Sequence, residues 1–346
     1  MSGPRVVVVG AGFGAGAHLR ALKELGADVA AVVTGHPQRR AAALALFPGA
    51  RVDWPASEAL RRGADLVIVA SPAATHLDIV REAARRGIDV VVEKPLDATL
   101  ARAEELVAVA RDAGIGLAVC LQHRYKPAGQ ALRALLGSGG LGGFTGGTVS
   151  VPWYRSASYY AEPGRGSYAR DGGGVLITQA IHALDLFVSV VGVPQRVWAR
   201  TATVAQPMEA EDTVAGVLDY GCGRLVSLHA TVAAYPGRDE ELTVSGTTGT
   251  AVLGAAELNV CTASGPEVLV ADPAPPTAAV RSTAVKSTAV DPGAMPTAWH
   301  RALLLDAVEA FAAHREPLAN GPSALATHRV VAALYESAKR DAWVEL

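Results

Sequence analysis

The chain has 346 residues, half of them hydrophobic, and a formal net charge of −2. This length favours two domains with sizeable cores, and balanced charge without a basic stripe or an acidic tail argues against nucleic acid as a partner. The three cysteines lie far apart in the sequence and have no metal-binding or redox spacing. That usage is typical of a reducing compartment, so we expect a cytoplasmic protein.

A membrane partner is not expected. The apolar run at residues 6–9 is followed at once by glycines and is too short for a signal peptide. The longest uncharged stretch, residues 134–154, contains repeated glycines that make a poor membrane helix. The sequence therefore predicts a soluble protein.

The first third of the chain alternates short apolar runs with segments of helical spacing. Strands are predicted at residues 5–9, 28–33, 51–53, 65–70, 88–92 and 115–121. These runs of Val, Ile and Leu lack polar alternation, which is typical of parallel strands buried on both faces. A doubly wound α/β domain over residues 1–121 is the prediction.

The pattern changes after residue 122. A helix at 128–136 precedes strands predicted at residues 145–151, 196–204, 213–219, 223–230 and 240–246. An apolar segment at 174–191 has helical spacing, residues 263–298 are interpreted as a long loop or an edge hairpin, and helices are predicted at 297–314 and 323–340. Residues 122–346 are thus expected to form an α+β domain with a mostly antiparallel sheet.

A glycine-rich turn joins the first strand to the first helix. Gly10 permits the tight turn, Gly12 lets the backbone approach a diphosphate, and Ala15 permits close packing of helix on strand. The candidate dinucleotide contacts in this turn are Gly10, Gly12, Phe13, Gly14 and Ala15. With the strand before it and the helix after it, the turn predicts a Rossmann domain that binds NAD or NADP.

The end of the second strand bears on the choice between these cofactors. An acidic residue about 20 positions beyond the glycines normally binds the adenosine ribose, but here the strand ends at Thr34 without an acid. Arg39 and Arg40 follow and could meet a 2′-phosphate, so the sequence favours NADP over NAD. Alternatively, both arginines belong to the solvated face of a helix.

Several motifs, in this order, resemble the Gfo/Idh/MocA oxidoreductases, which include inositol and sugar dehydrogenases and glucose–fructose oxidoreductase. The matching motifs are the glycine turn through His18, residues 70–76, Glu93-Lys94-Pro95, Gly172-Gly173-Gly174 through Asp185, Glu211-Asp212 and residues 335–338. The resemblance implies an open-faced second sheet, a cis bond before Pro95 and a homodimer or homotetramer. It also implies cofactor contacts from Ser71, Pro72, His76, Glu93 and Lys94.

The resemblance further implies a catalytic pair, Lys94 and His182. Lys94 follows the fifth strand, at the edge where doubly wound sheets bind ligands, and in the family it lies beside the nicotinamide. His182 would be the general base for alcohol oxidation, or the acid in reduction. Asp185 is interpreted as orienting the imidazole or serving packing. Relatives often carry Asp four residues before the histidine, whereas this chain has Thr178, which we expect to hydrogen-bond a substrate hydroxyl.

Polar and aromatic groups precede the glycine triplet. Arginine forks suit carboxylate or phosphate, and aromatic faces suit the C–H surface of a sugar. The candidate substrate contacts are Lys94, Arg124, Trp153, Arg155, Tyr159, Tyr160, Arg165, Arg170, Thr178 and His182. They suggest an anionic, sugar-like substrate; alternatively, the segment is a loop held by its own hydrogen bonds.

The leading hypothesis is an NAD(P)-dependent oxidoreductase acting on a secondary alcohol or keto carbon of a sugar, cyclitol or sugar acid. The alternatives are an NAD-dependent glycosidase of the same fold and a non-catalytic dinucleotide-binding regulator. No metal is expected, because ligand-like spacing with Cys, Asp or Glu is lacking at His18, His76, His229, His314 and His328.

Overall fold

A computed structural model of the chain describes residues 3–53, 55–254, 257–271 and 297–346. The described residues form two compact units. Those of the first lie within Met1–Gln122 and Asp291–Leu325, and those of the second within His123–Val290 and Ala326–Leu346.

The first unit contains a sheet of six parallel strands with helices between them. Its elements are β1 (Arg5–Val9), α1 (Phe13–Glu24), β2 (Asp28–Val33), α2 (Pro37–Leu46), β3 (Arg51–Asp53), α3 (Ala56–Arg61), β4 (Leu66–Val69), α4 (His76–Ala84), β5 (Asp89–Val92), α5 (Leu100–Asp112) and β6 (Leu117–Val119). The spatial order β3-β2-β1-β4-β5-β6 reverses between β1 and β4. The predicted Rossmann fold is confirmed, and its ligand crevice is expected at the carboxyl ends of β1 and β4.

Burial explains why these strands have no polar alternation. Every residue of β4 is buried, as are the last four of β1. Helices cover both faces of a parallel sheet, so both sets of side chains must be apolar.

The remaining elements combine a second sheet with further helices. They are α6 (Pro127–Gly137), β7 (Phe144–Pro152), α7 (Tyr168–Asp171), α8 (Ile181–Val191), β8 (Arg196–Ala202), β9 (Thr213–Asp219), β10 (Leu225–Thr231), β11 (Glu241–Gly246), β12 (Gly249–Leu253), β13 (Glu257–Thr262), β14 (Gly265–Ala271), α9 (Ala298–Ala312), α10 (Gly321–Arg340) and β15 (Val344–Glu345).

The second sheet has nine strands in the order β14-β13-β12-β11-β7-β10-β9-β8-β15. Among the described strands of this sheet, only β7 and β10 pair in parallel, and the other neighbouring strands pair antiparallel. Side chains of β10 alternate, with Val226 and Leu228 buried while Leu225, Ser227 and His229 are exposed. One face of the sheet is thus core and the other is open, as predicted. The homo-oligomer that the resemblance implies stays a prediction.

The position of α9 differs from the predicted division at residue 121. This helix belongs to the first unit, because it packs on α1 and near β5. Phe311 of α9 lies against Gly116, where an added Cβ would come within 2.2 Å of the ring. The apolar spacing of α9 predicts a helix but carries no information about which core it joins.

Two other local features were missed. The strands β12 and β13, at residues 249–262, were not predicted at all. The strand β14 lies in the segment that was interpreted as a long loop or an edge hairpin, and its antiparallel pairing with β13 fits the hairpin. The part of that segment from 272 to 296 lies outside the described residues. In addition, the predicted helix 174–191 begins with a π-helical turn at Leu176–Ala180.

One segment of the described chain, Tyr168–Val191, is long and apolar enough to span a membrane by length and composition alone. In the structure 78% of its most apolar window is buried inside the protein. A core helix has this composition for the same physical reason as a membrane helix, namely that apolar surface surrounds it.

Candidate active site

The turn between β1 and α1 requires glycine at its first position. Gly10 has a φ of +107°, and a Cβ there would lie 2.3 Å from the carbonyl oxygen of Ala70. The Gly10 amide donates to the carbonyl of Val33, at 2.9 Å. The turn therefore lies close to the carboxyl ends of both β2 and β4, and only glycine fits at its first position.

The N-terminus of α1 fits a diphosphate. Gly12 is the N-cap, no side chain caps the first turn, and that turn contains no acidic residue. Such N–H groups at the positive end of a helix bind anions. Phe13 begins the helix, but its side chain lies outside the described part of the structure. Ala15 is fully buried, so a larger residue would push α1 off the sheet.

After β2, Arg39 and Arg40 have different surroundings. Thr34 is nearly buried, and its Oγ1 accepts from the His36 amide at 3.2 Å. Arg39 lies beside the glycine turn, because its Nη1 is 3.6 Å from the position of a Cβ on Gly12. Arg40 instead reaches the carbonyl of Val52, at 3.4 Å. Arg39 is thus the better placed of the two to meet a nucleotide phosphate.

The loop after β4 is tied to the loop after β5 by His76. Its Nε2 lies 2.9 Å from the Ser71 carbonyl and its Nδ1 lies 3.1 Å from the Pro95 carbonyl. Because His76 is only 1% exposed, its side chain supports the two loops, and the predicted contact of this residue with the cofactor stays a prediction. Ser71 is more exposed, and its Oγ bonds Thr75 Oγ1 at 2.7 Å. Pro72 precedes the short 3₁₀ turn that leads into α4.

Lys94 sits in a firmly held loop directly after β5. The Lys94–Pro95 peptide is cis, as the resemblance implied. Farther along, the buried Asp97 accepts from the Leu77 amide at 3.0 Å and from Arg102 Nε at 2.8 Å. The loop is therefore fixed to α4 and α5, and it presents a half-buried lysine at the carboxyl edge of the sheet.

Glu93 links this loop to α1. Its Oε1 lies 2.8 Å from Nε2 of the fully buried His18, and its Oε2 accepts from the Lys94 amide at 3.1 Å. Burial alone would raise the pKa of Glu93, but the hydrogen bond from His18 and the charges of His18 and Lys94 outweigh it and hold that pKa well below its usual range. An ionised Glu93 thus holds the lysine loop beside Gly14, whose added Cβ would lie 3.4 Å from Oε1.

Sequence reasoning missed a buried cluster of His18, Glu93, Cys120 and His300. One ligand-type atom from each lies within 4.8 Å of the others. Burial, with the nearby His18, lowers the pKa of His300 to about 4, and burial raises the pKa of the Cys120 thiol well above its usual range. Sequence spacing does not reveal this cluster, because its four residues come from distant segments of the chain. The Glu93–His18 hydrogen bond explains their contact without an ion, and the absence of a metal stays a prediction.

In the second unit, Glu211 fixes the start of the helix that carries His182. Its carboxylate accepts from the amides of Gly174 and Leu176, at 2.9 and 3.0 Å, and from the Tyr335 hydroxyl at 2.9 Å. Gly174 is required here, because an added Cβ would lie 1.7 Å from the Glu211 carbonyl oxygen. The sequence signal was the Glu211-Asp212 pair, but its role in capping was not predicted.

His182 lies in the first turn of α8 and is 8% exposed. Its ring stacks on that of His123, with centroids 4.8 Å apart and planes inclined by 28°. Nδ1 of His123 lies 3.2 Å from Oε1 of Glu240, which also accepts from Lys126 Nζ at 2.8 Å. The buried carboxylate of Glu240 thus lies next to His123, on whose ring His182 stacks. Sequence reasoning missed this contact, because His123 and Glu240 are more than a hundred residues apart in the chain.

Arg124, a predicted substrate contact, is buried and paired inside the second unit. It is 2% exposed and forms two hydrogen bonds with Asp185, at 2.7 and 2.6 Å. The fully buried Asp185 also accepts from Thr327 Oγ1, at 2.8 Å. Both charges are satisfied inside the unit, so this pair has a structural role, one of the two roles considered for Asp185.

Thr178 was predicted to hydrogen-bond a substrate hydroxyl. In the structure its Oγ1 donates to the Gly174 carbonyl at 2.6 Å and also contacts the Gln179 side chain. The hydroxyl proton is used within the helix, so only acceptor lone pairs remain for another group. The π turn also changes the spacing, because residues four apart no longer lie directly above one another.

The aromatic and arginine residues before the glycine triplet do cluster. The Arg155 guanidinium carbon lies 5.1 Å from the Trp153 ring centroid and 5.7 Å from that of Tyr159. Arg165 lies over Tyr159 at 4.5 Å, donates to its hydroxyl at 3.0 Å and pairs with Glu162.

Tyr160 belongs to the same cluster and is 8% exposed. Burial raises the pKa of its phenol, and its hydroxyl is buried without a hydrogen-bond partner among the described residues. The cluster is connected to the π turn through Gln179, whose Nε2 lies 3.5 Å from the Tyr159 hydroxyl.

Known proteins share the sequence pattern and the fold of this chain. The chain is 28% identical to the D-apiose dehydrogenase of Paraburkholderia graminis over 347 aligned residues, which cover 98% of this chain and 88% of the relative. The WlbA dehydrogenase from Bordetella pertussis, solved with NADH and UDP-GlcNAcA, superposes with a TM-score of 0.84 at 28% identity and covers 100% of this chain and 98% of its own. An oxidoreductase from Agrobacterium radiobacter shares the fold, with a TM-score of 0.85 at 23% identity over 99% of this chain and 98% of its own.

Two domain models cover most of both units. The oxidoreductase family model with an NAD-binding Rossmann fold matches residues 4–120. The C-terminal domain model of the same family matches residues 130–252. The chain is therefore an oxidoreductase with an NAD-binding Rossmann domain, and it belongs to the Gfo/Idh/MocA family.

Proposed function

We propose that the chain transfers a hydride between NAD(P) and a secondary alcohol or keto carbon of a sugar, cyclitol or sugar acid. The observation that carries the proposal is the position of Lys94, in a loop held by Glu93, His76 and Asp97 at the carboxyl edge of the Rossmann sheet. The nicotinamide supplies the hydride acceptor or donor when it is bound. The dehydrogenase activities in the names of the relatives support this reaction class.

Lys94 would act by holding and exchanging a proton at its Nζ. The backbone of the loop is fixed by the ionised Glu93, so the orientation of the side chain starts from a rigid base. An ammonium at this position donates a hydrogen bond to a substrate oxygen and stabilises negative charge on it as the C–H bond breaks.

His182 would be the second proton-transfer group. A neutral imidazole takes the hydroxyl proton during oxidation, and an imidazolium returns it during reduction. The neighbouring His123, with Glu240 behind it, restricts the tilt of the His182 ring by stacking. Since Thr178 has no acidic proton to exchange near neutral pH, we assign no proton transfer to it.

For the cofactor we propose a preference for NADP. The end of β2 lacks an acid, and Arg39 lies next to the glycine turn. Replacing Arg39 with Gln is expected to weaken NADP binding about 10-fold or more, as the loss of a charge-assisted hydrogen bond does, and to leave NAD binding within about 3-fold. Fluorescence titration with both cofactors measures this; Arg40→Gln is the matched control. Tighter binding of NAD by the unaltered protein would contradict the preference.

The reaction is tested by a panel of polyols, sugars and sugar acids with NAD and NADP, followed by the absorbance of the reduced nicotinamide. Net, substrate-dependent reduction of the cofactor is the expected result. Hydrolysis of a glycoside without net reduction would contradict the proposal in favour of a glycosidase, and cofactor binding without turnover of any compound would favour a regulator.

A further inference from the structure

The segment that leaves β7 is held rigidly by backbone pairing to the chain beyond β10. The Trp153 amide donates to the Thr231 carbonyl and the Arg155 amide to the Val232 carbonyl, each at 2.9 Å. Tyr154 and Ala233 form an isolated bridge between the two segments. The side chain of Arg155 therefore extends from a fixed point and not from a loose loop.

The arginines of this region differ in how their charges are balanced. Arg124 pairs with Asp185, whereas Arg165 and Arg170 both pair with Glu162. Arg155 has no carboxylate within ion-pair distance in the part of the chain that the structure describes, and its Nη1 donates to the Tyr154 carbonyl at 3.1 Å.

The surroundings of Arg155 make this lack of a carboxylate costly. Burial lowers the pKa of its guanidinium, which means that the charged form has lost water contacts that protein groups do not fully replace. Arg155 is half-buried, so its guanidinium has lost part of its water without gaining a carboxylate among the described residues. An anion bound there would supply the missing counter-charge, so the arrangement is suited to a ligand that brings its own negative charge.

The neighbours of Arg155 fit a sugar carrying such a charge. The rings of Trp153 and Tyr159 both lie within 6 Å of its guanidinium carbon, and aromatic faces pack against sugar C–H groups. The buried Tyr160 hydroxyl, with no hydrogen-bond partner in the described ranges, provides a donor near the same guanidinium. Gln179 connects this group to the π turn that precedes His182.

We propose that Arg155 binds the carboxylate or phosphate group of the substrate, so that this chain acts on acidic sugars in preference to neutral ones. The inference rests on the proposed function for its substrate class, and it adds one specificity-determining residue. Both candidate groups offer the two anionic oxygens that a guanidinium fork binds in parallel.

Binding is tested first without turnover. Isothermal titration with inorganic phosphate and with D-gluconate is expected to show binding to the unaltered protein and at least about 10-fold weaker binding to Arg155→Gln. Arg200→Gln, which removes an exposed arginine paired with Asp341, is the matched control and should bind like the unaltered protein. Equal binding by all three proteins would overturn the proposal.

Kinetic measurements then distinguish a carboxylate from a phosphate as the substrate group that Arg155 binds. D-glucuronate, D-glucose 6-phosphate and D-glucose differ mainly in the anionic group, and we expect a lower KM for the acid or the phosphate than for the neutral sugar. In Arg155→Gln the KM of the preferred anionic compound should rise about 10- to 100-fold, with the KM of glucose within about 3-fold. Arg155→Lys, which keeps a positive charge, should recover part of the loss and shows that the site folds.

Equal rises for charged and neutral sugars in Arg155→Gln would contradict the inference, because they indicate a structural role. Turnover of neutral sugars without anion binding would overturn the inference and leave the proposed function standing. Arg155-dependent binding of phosphate without turnover of any sugar would support the anion site and count against the proposed function.

Discussion

Arg124 and Arg155 show how the surroundings of a residue decide its role. Both arginines lie in the second unit, and each is next to a tyrosine in the sequence. Arg124 has a buried partner, Asp185, that accepts two of its hydrogen bonds, while Arg155 has aromatic rings in place of a carboxylate. The sequence identified both as ligand-binding candidates, because residue type alone does not show which charge is already neutralised.

Removing one member of the Arg124–Asp185 pair is expected to be strongly destabilising. Arg124→Met leaves Asp185 charged and buried without its main partner, so the free energy of unfolding should fall by about 3–5 kcal/mol. The double variant Arg124→Met/Asp185→Leu should recover much of this loss. Urea unfolding measures both. A single variant as stable as the unaltered protein, with a raised KM, would instead support the earlier prediction of substrate binding.

His300 should make stability depend on pH. Its pKa is lowered to about 4 in the folded protein from an ordinary value of 6.5, so the unfolded chain binds the proton more readily. As far as His300 is concerned, the free energy of unfolding is therefore highest above pH 6.5. It decreases as the pH falls towards 4, by up to about 1.4 kcal/mol per pH unit. Urea unfolding between about pH 7 and 5 avoids most carboxylate titration. His300→Leu is expected to have a flatter profile, and parallel profiles would contradict the assignment.

At the scale of elements, patterns of burial explain which predictions succeeded. The strands of the first unit were predicted because they are continuous apolar runs. The strand β9 was predicted at its observed bounds because its side chains alternate. By contrast, β12 and β13 are short, carry polar residues and lie toward the edge of the sheet. The π turn depends on Glu211, a residue 31 or more positions away from it, so local spacing does not reveal it.

The start of the His182 helix should not tolerate a side chain at Gly174. Gly174→Ala places a methyl group 1.7 Å from the Glu211 carbonyl oxygen, so the helix start must shift and the free energy of unfolding should fall by about 3 kcal/mol. Gly137→Ala, at the end of α6 with nothing within 4 Å of the new Cβ, is the control and should change stability by less than about 1 kcal/mol. Thermal unfolding compares them, and equal melting temperatures would contradict this role of Gly174.

At the scale of the whole molecule, the sequence predicts the fold better than the site. The glycine turn and the lysine after β5 are local signals with a fixed place in a doubly wound sheet. Two groupings in the structure join segments that are distant in the chain. One is the cluster of His18, Glu93, Cys120 and His300, and the other is the stacked pair His123 and His182 with Glu240 next to His123. Such groupings follow from tertiary structure, so neither spacing nor composition could have identified them.

The central proposal is that Lys94 and His182 carry out the proton transfer. It is tested by turnover of the best substrate from the panel in Lys94→Met and His182→Asn, with cofactor affinity measured in parallel. The exposed residues Lys339 and His229 provide matched controls, Lys339→Met and His229→Asn. We predict that each catalytic variant lowers kcat about 10²- to 10⁴-fold and leaves cofactor affinity within about 3-fold, while the controls keep full activity. Catalytic variants that turn over as fast as the controls would contradict the claim.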